Sequence, residues 1–351
     1  MSERLYYTDA YTTRFDARVV EIIPQGQQTA VVLNQSYFYP ASGGQPADSG
    51  YLNGVPVSDV VIRPEDDAVL HLLAADTFTA ATVQAEVSWT RRFDHMQQHT
   101  GQHILSRAFL EIAAAETLSF HLSDNIVTID IDRTDISAAE LMAVEALANE
   151  VVWRNGPIQI TFVSQDEIEN LALRKRPPIK EGQKLRLIDI DGFDLTACGG
   201  THVGRAGEVG LIKIVNQQRR GNKLRIEFYC GGRAVRDYET KNEIVQALMS
   251  EMTTSGDQLL AAVQKLKEER HQTQKILKKA QTELSQYEIA ALIKEAEKVH
   301  GINLVTQAVA DKTVNELRLL ATQLTSEPQT IALTGVCGEK AMLIFKRSDE
   351  L

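Results

Sequence analysis

Two short stretches, His99-Thr100-Gly101-Gln102-His103 and Cys198-Gly199-Gly200-Thr201-His202, constrain this chain more than anything else in it. The first lies in a run, residues 91–114, whose apolar side chains Phe93, Met96, Ile104, Leu105, Ala108, Phe109 and Ile112 recur with a helical period. Positions four apart on a helix share a face, about 5–6 Å from each other, so His99 and His103 can turn ring nitrogens toward one ion. The second stretch follows a strand-like run at 184–190. Its glycines let the backbone bend until a thiolate and an imidazole converge. One thiolate with three imidazoles selects zinc over magnesium or calcium, which require oxygen ligands. With 8 His and 3 Cys in 351 residues, both spacings together arise by chance at roughly the one per cent level. The pairs therefore read as one split zinc site that draws two distant segments together. Either pair alone is weak, and His95, four residues before His99, leaves open which two of the three histidines bind.

A chain of 351 residues with 43% hydrophobic content can bury a large core divided among two or three domains. No apolar run is long enough to span a membrane, and Met1-Ser2-Glu3-Arg4 lacks a secretory core, so the cytoplasm is the expected compartment. An odd count of 3 Cys does not suggest a disulfide framework and leaves Cys230 and Cys337 as reduced thiols. The net charge of -10 argues against indiscriminate nucleic-acid binding, but its distribution is uneven. Residues 170–235 hold 13 Lys+Arg against 6 Asp+Glu, a net of +7, which leaves -17 for the rest. Two loops of that strip, with Arg174, Lys175 and Arg176 in one and Arg219, Arg220 and Lys223 in the other, are candidate phosphate contacts; the plain alternative is a solvated charged surface.

The chain reads as α+β. Short β-rich runs at 17–23, 28–33, 50–52, 57–62, 69–73 and 82–87, separated by turn residues, predict a small barrel within residues 1–90. A metal-binding domain at 91–235 combines the His99 helix, a helix from Ala138 to Asn155 capped by Ser137 and Glu140, and strands at 126–131, 158–163, 186–190, 210–216 and 224–229 in antiparallel sheet. Residues 236–300 are long helix: Leu259, Val263, Leu266, Arg270, Thr273, Leu277, Ala280, Leu284, Tyr287 and Ala291 form a coiled-coil-like seam. A helix over 256–300 would be about 67 Å long, suited to pairing within the chain or between two copies. Residues 301–351, with strand runs at 302–305, 331–333 and 341–345 and a helix at 314–324, predict a small α/β domain that stops short after its last strand.

Phe38-Tyr39-Pro40-Ala41-Ser42-Gly43-Gly44-Gln45-Pro46-Ala47-Asp48-Ser49-Gly50 is no ordinary hairpin. Paired glycines bring backbone close to something and Gln45 adds an uncharged donor and acceptor. The segment reads equally as a tight barrel turn or as a rim that closes over a small substrate group.

With the two metal stretches and Arg225-Ile226-Glu227-Phe228 before Cys230-Gly231, this segment resembles the editing domain of alanyl-tRNA synthetase and its free-standing relatives, the AlaX proteins. The resemblance covers residues 6–235, and the long helix with the small last domain is similar to the large AlaX form. With no aminoacylation core ahead of the barrel in this sequence, the expectation is a free-standing editing protein rather than a synthetase.

The resemblance implies a hydrolase that removes serine, and also glycine, from wrongly charged tRNA(Ala), because an alanine pocket cannot firmly reject either by binding alone. It implies one zinc per chain on His99, His103, Cys198 and His202, with His95 outside, and assigns Gly43, Gly44 and Gln45 to the family's glycine motif. Ser36 stands where many relatives have a threonine that recognises the hydroxyl of serine. Gln102, Ser119 and His121 are candidates for positioning water or moving protons, His121 first, although a hydrogen-bonded strand-end histidine reads the same; a ribose hydroxyl of the tRNA could assist instead. Four protein ligands close a tetrahedron, so a catalytic role would need one of them, His202 first, to be loose. The rival readings are a zinc-stabilised tRNA-binding module without turnover, a generic zinc hydrolase and an oligomerisation scaffold. Thr100, where a zinc peptidase carries glutamate, counts against the peptidase form.

Overall fold

Alternating burial turns the N-terminal runs into strands. In Thr82–Val87 every second residue, Val83, Ala85 and Val87, is buried while the others face water, as expected of a strand with one face in a core. The computed structural model describes residues 2–25, 28–169, 171–175, 184–310, 312–336 and 341–351. These fall into two units, Met1–Glu243 and Ile244–Leu351.

The first unit begins with β1 (Glu3–Arg4), β2 (Arg14–Gln25), β3 (Gln28–Leu33), β4 (Gln35–Ser36), β5 (Gly50–Leu52), β6 (Val55–Ile62), β7 (Val69–Leu73) and β8 (Thr82–Val87). Six of them close a barrel in the order β2-β3-β7-β6-β5-β8, while β1 and β4 pair in parallel outside it. Val31, Leu33, Phe38, Leu52, Val69 and Leu73 fill the barrel.

The rest of the unit is α1 (Trp89–Ala113), β9 (Thr117–Leu122), β10 (Val127–Ile131), α2 (Ala138–Arg154), β11 (Ile158–Val163), α3 (Gln165–Ile168), β12 (Leu185–Ile190), β13 (Asp194–Ala197), β14 (Ile212–Arg220), β15 (Lys223–Cys230) and α4 (Gly232–Glu251), which runs past the unit's end. One antiparallel sheet has the order β14-β15-β10-β9 and a second the order β11-β12-β13. Met96, Ile104, Leu105 and Phe109 of α1 pack with Ile129, Val144, Ile226 and Phe228 in a separate core. Ser137 and Glu140 form the expected capping box, and Asn155 ends α2 in the left-handed region. Strands β9 and β13 have no counterpart in the sequence reading. Three of the six residues of β9 are polar, and β13 has only four residues, too few to display a period.

An ion pair without solvent exposure ties the glycine-rich segment to α1. Arg92 Nε lies 3.1 Å from both carboxylate oxygens of Asp48, Arg92 Nη2 reaches Asp48 Oδ2 and Tyr37 O, and Nη1 donates to Ala10 O at 2.7 Å. Asp48 Oδ2 also accepts from the Tyr39 backbone N–H at 2.6 Å. Five donors on two buried ends leave neither charge unmatched.

The second unit contains α5 (Leu259–Glu295), β16 (Glu297–Val299), β17 (Ile302–Val309), α6 (Val314–Leu324), β18 (Thr330–Val336) and β19 (Met342–Arg347), with sheet order β16-β17-β18-β19 and only β17 and β18 parallel. Val305, Leu320, Leu324 and Ala332 form its core with Ile289 and Leu292 of α5. The helix expected to reach residue 300 ends at Glu295. His300 and Gly301 both take positive φ, +52° and +88°, and turn 297–299 back as a strand on β17, a two-residue hairpin turn that a helix cannot contain. Leu266, Leu277, Leu284 and Tyr287 of the α5 seam are 55 to 77% exposed.

Candidate metal centre and its cleft

Helix α1 supplies His99 and His103 from adjacent turns, and the loop after β13 supplies Cys198 and His202. Their ligand atoms all lie within 4.8 Å of one another. Cys198 Sγ is 3.3 Å from His99 Nε2 and 3.3 Å from His202 Nε2, matching the edge of a tetrahedron around zinc, about 3.3 to 3.7 Å for ordinary Zn–N and Zn–S bonds. All three imidazoles are buried, 3% exposed each.

What fits this cluster to a metal is the other side of each ring. His99 Nδ1 is 2.7 Å from Gln45 Oε1 and His202 Nδ1 is 3.1 Å from Thr100 Oγ1, both hydrogen bonds, while His103 Nδ1 lies 3.3 Å from Asp194 Oδ2 as an ion-pair contact without hydrogen-bond geometry. With Nδ1 turned outward to an oxygen in every case, each Nε2 is left to face the centre, as in metal sites whose ring tautomers are fixed by outer partners. Gln45 is itself fixed: its Nε2 donates to Thr201 Oγ1 at 2.8 Å and its Oε1 accepts from Thr201 N at 3.2 Å. Arg186 Nη1 donates to the carbonyls of Cys198 at 2.6 Å and Gly200 at 3.0 Å, bending the loop. Residue 200 has to be glycine, because a Cβ there would overlap the His99 ring.

The electrostatics favour the ligand forms of Cys198 and His202 and, before any cation binds, the charged form of His103. Burial opposes ionisation of Cys198, but His99, His202 and His103 outweigh it and hold the thiol well below its usual range. Burial pushes His202 down to about 3, so its ring is neutral at physiological pH. For His103, burial again works against the charge, but Cys198 and Asp194 more than compensate and raise it.

Beside the cluster lies a cleft of about 380 Å³, lined by Gly43, Gln102, Leu118, Ser119, Phe120 and Lys175 as well as by His99, His103 and Cys198. Gly43 is exposed at its mouth with φ +57°. Gly44, φ +85°, presses on the edge of β9, where a Cβ would come 2.8 Å from Phe120 O, and its own carbonyl accepts from Leu122 N at 3.0 Å. Only glycine reconciles that φ with that contact. Gln102 donates from Nε2 to Ser106 Oγ at 2.7 Å; among the described residues no hydrogen bond occupies its Oε1.

The structure places several candidates elsewhere. Gln45 is 2% exposed and faces His99 rather than the cleft. Ser36 is fully buried, held 2.8 Å from His71 Nε2 and 3.1 Å from Phe38 N. His71 Nδ1 lies 2.9 Å from Val31 O, and burial pushes this histidine down to about 4, so the pair is a neutral barrel contact. His121 sits exposed on β9 opposite Thr128 and is absent from the cleft lining, because strand alternation turns it away from the side that Phe120 presents to His99. Arg174 lines the cleft but is bound to buried Asp194 at 2.6 and 3.2 Å. Lys223 is bound with Arg225 and Ser119 to Asp130. Arg219 and Arg220, on the exposed end of the β14–β15 hairpin, bond among the described residues to Gly221 O and Gln218 Oε1. Arg176 lies outside the described residues.

The sequence reading missed the outer partners Thr100 and Asp194 and the Asp48–Arg92 pair. Thr100 adjoins a ligand and Asp194 precedes Cys198 by four residues, which is the signal a search for such partners would use.

Residues 185–227 match the family model described as threonyl and alanyl tRNA synthetase second additional domain, a stretch that contains Cys198 and His202. The chain is 30% identical to an alanine–tRNA ligase of Pyrococcus furiosus over 94% of its own length and 36% of the ligase. It is 32% identical to an alanyl-tRNA editing protein of Danio rerio, over 74% of the chain and 66% of that protein. It is 28% identical to the alanyl-tRNA editing protein AlaX-L of Pyrococcus horikoshii, over 87% of the chain and 77% of that protein. The chain thus spans about a third of the ligase, just under two thirds of the Danio rerio editing protein and about three quarters of the Pyrococcus horikoshii one.

Proposed function

The chain belongs to the family of alanyl-tRNA editing proteins, and we propose that it hydrolyses the ester joining serine, or glycine, to the terminal adenosine of tRNA(Ala). The observation that carries this reading is the meeting of three imidazoles and one thiolate, two rings hydrogen-bonded from outside and the third beside Asp194, at the wall of a cleft bordered by the glycine motif. A cleft of about 380 Å³ suits a small acyl group and acts as a second sieve where the first cannot discriminate. We assign one zinc to His99, His103, Cys198 and His202; when bound it supplies Lewis acidity to the ester carbonyl or to water beside it. Gln45, Thr100 and Asp194 hold the rings in register, and the bare backbone at Gly43 and Gly44 leaves room for the amino acid. Gln102 Oε1 is the acceptor for the substrate amine or the incoming water.

Among the described residues no carboxylate lines the cleft, and His121 stands outside it. We therefore assign the proton relay to the neighbouring ribose hydroxyl of the substrate. Water forms the new bond to the carbonyl carbon, the ester C–O bond breaks, and the proton from water passes to the departing ribose oxygen. Lys175, Arg219 and Arg220 meet the RNA backbone. Residues 1–90 and 91–235 make up the editing module, 236–300 the helical connection and 301–351 a small α/β domain. Among the described residues no helix is long and apolar enough to cross a membrane; a tRNA substrate places the protein in the cytoplasm.

Four protein donors also close a tetrahedral shell, which favours a second reading as a zinc-stabilised tRNA-binding module without turnover. Incubation with Ser-tRNA(Ala), Gly-tRNA(Ala) and Ala-tRNA(Ala) separates the two. Editing predicts loss of serine at least about 100-fold faster than alanine. Binding of all three with no loss from any would establish the module instead.

The exposed α5 seam is the proposed contact between two copies. Sedimentation at micromolar concentration should give a dimer that Leu277→Glu with Leu284→Glu reduces to a monomer; a monomeric parent protein would exclude this.

A further inference from the structure

A second cleft, about 720 Å³, opens in the same unit beside the start of α1. Ten residues separate Trp89 from His99, so it lies about 15 Å along the helix axis from the metal cluster. Ser88 stands at the N-cap of α1 without a side-chain capping bond, and the first turn contains no acidic residue. The first amide N–H groups and the positive end of a 25-residue helix therefore face this space without a local counter-charge.

The side chains around it point to an anion. Asp94 is bound by Arg233 at 2.6 Å and Asp124 by Arg91 at 2.6 Å, so both carboxylates of the cleft are neutralised. Among the described residues the ion pairs of α4, Arg233 with Asp94 and Lys241 with Asp237, leave out Arg236, which also lines the cleft. His95 lines it too, 1% exposed, and its Nδ1 makes no hydrogen bond among the described residues. A buried polar atom without a partner is costly unless something outside the protein supplies one.

The last feature says which anion. Trp89 is 40% exposed, stacks on Phe93 with ring centroids 5.1 Å apart, and has Tyr11, 42% exposed, at 5.6 Å on its flank. A free inorganic anion has no use for an aromatic shelf, whereas a nucleotide uses a cation, an amide cradle and an aromatic surface together. We propose that this cleft binds one nucleotide of the RNA substrate, its phosphate between Arg236 and the N-terminus of α1 and its base against Trp89. This deepens the editing reading and rests on it for the identity of the RNA: the nucleotide lies a few positions from the ester held at the metal cleft.

The test uses the full chain with uncharged tRNA(Ala) as the probe. The chain has 2 Trp, and Trp153, 72% exposed, is replaced by phenylalanine so that Trp89 alone fluoresces. Binding should quench Trp89. Arg236→Gln should raise Kd about 5-fold or more and reduce the slope of log Kd against log salt by about 1, while Arg236→Lys restores the slope. In deacylation Arg236→Gln should raise KM and leave kcat unchanged. An unchanged Kd and slope, or no quenching, would overturn the proposal. So would inorganic phosphate that perturbs Trp89 and excludes RNA in the millimolar range, which would mark a free-anion site. Quenching by RNA in a protein that deacylates no aminoacyl-tRNA would leave the subsite standing and remove the editing reading. Deacylation with wild-type KM in Arg236→Gln would do the reverse.

Discussion

Replacing Cys198 by alanine is expected to remove zinc and deacylation together. The thiolate is the anionic member of the cluster, 3.3 Å from two of the three imidazole nitrogens, and without it three neutral rings must hold a divalent ion in a partly apolar wall. Metal analysis should fall from about one zinc per chain to under about a tenth. Transition-state stabilisation by a metal is worth several kcal/mol, so the rate should fall by about 10³-fold or more. Gln45→Ala makes the comparison sharper. It removes only the outer partner of His99 and should cost about 10- to 100-fold in metal affinity or activity, with Cys198 intact. Full activity of Cys198→Ala without zinc would refute the metal's part in the reaction, and full zinc content would refute the ligand set.

The local order of the chain was largely legible. Strands at 28–33, 50–52, 69–73, 82–87 and 158–163 and the helix at 314–324 fall where apolar pattern and turn residues put them, since strands with one buried face alternate, as 82–87 does, and strands buried on both faces, 28–33 and 69–73, read as short apolar runs between turns. The barrel followed from many such strands in succession. What stayed hidden is what depends on a partner far along the chain. Strand β9 is half polar because its side chains meet Asp130 and the cleft as well as the core, so its alternation is diluted.

The His/Cys cluster was legible for the same reason that its support was not. Ligands on one helix face or in one loop have a fixed spacing, and that spacing is visible in a single sequence. The groups that orient them do not. Gln45 is 54 residues from His99 in the chain and Thr100 is 102 from His202. The basic strip was visible as composition, yet composition could not separate Arg219 and Arg220, exposed at a hairpin end, from Lys223 and Arg174, which neutralise Asp130 and Asp194.

Asp48→Ala should destabilise the first unit by about 3 to 5 kcal/mol, the range for removing one partner of a buried ion pair. Arg92 would keep only the carbonyls of Ala10 and Tyr37, and a guanidinium with no solvent exposure cannot recover its hydration without opening the structure. Denaturant melts of the full chain should show a lower midpoint for the transition of this unit, and a thermal midpoint lower by roughly 10 °C. Asp48→Leu combined with Arg92→Met should recover part of the loss, because exchanging both charges for apolar volume leaves no charge unpaired, although the Tyr39 N–H and the carbonyls of Ala10 and Tyr37 lose their partners. A single variant within about 1 kcal/mol of the parent would mean that water reaches Arg92 and the pair is not sealed. The effect should extend to the cleft as well as to stability. Asp48 anchors the segment that carries Gly44 against β9 and Gln45 against His99. Protein that remains folded should therefore deacylate more slowly and bind zinc more weakly, whereas the paired replacement, which restores packing without the Tyr39 N–H acceptor, should recover stability further than activity.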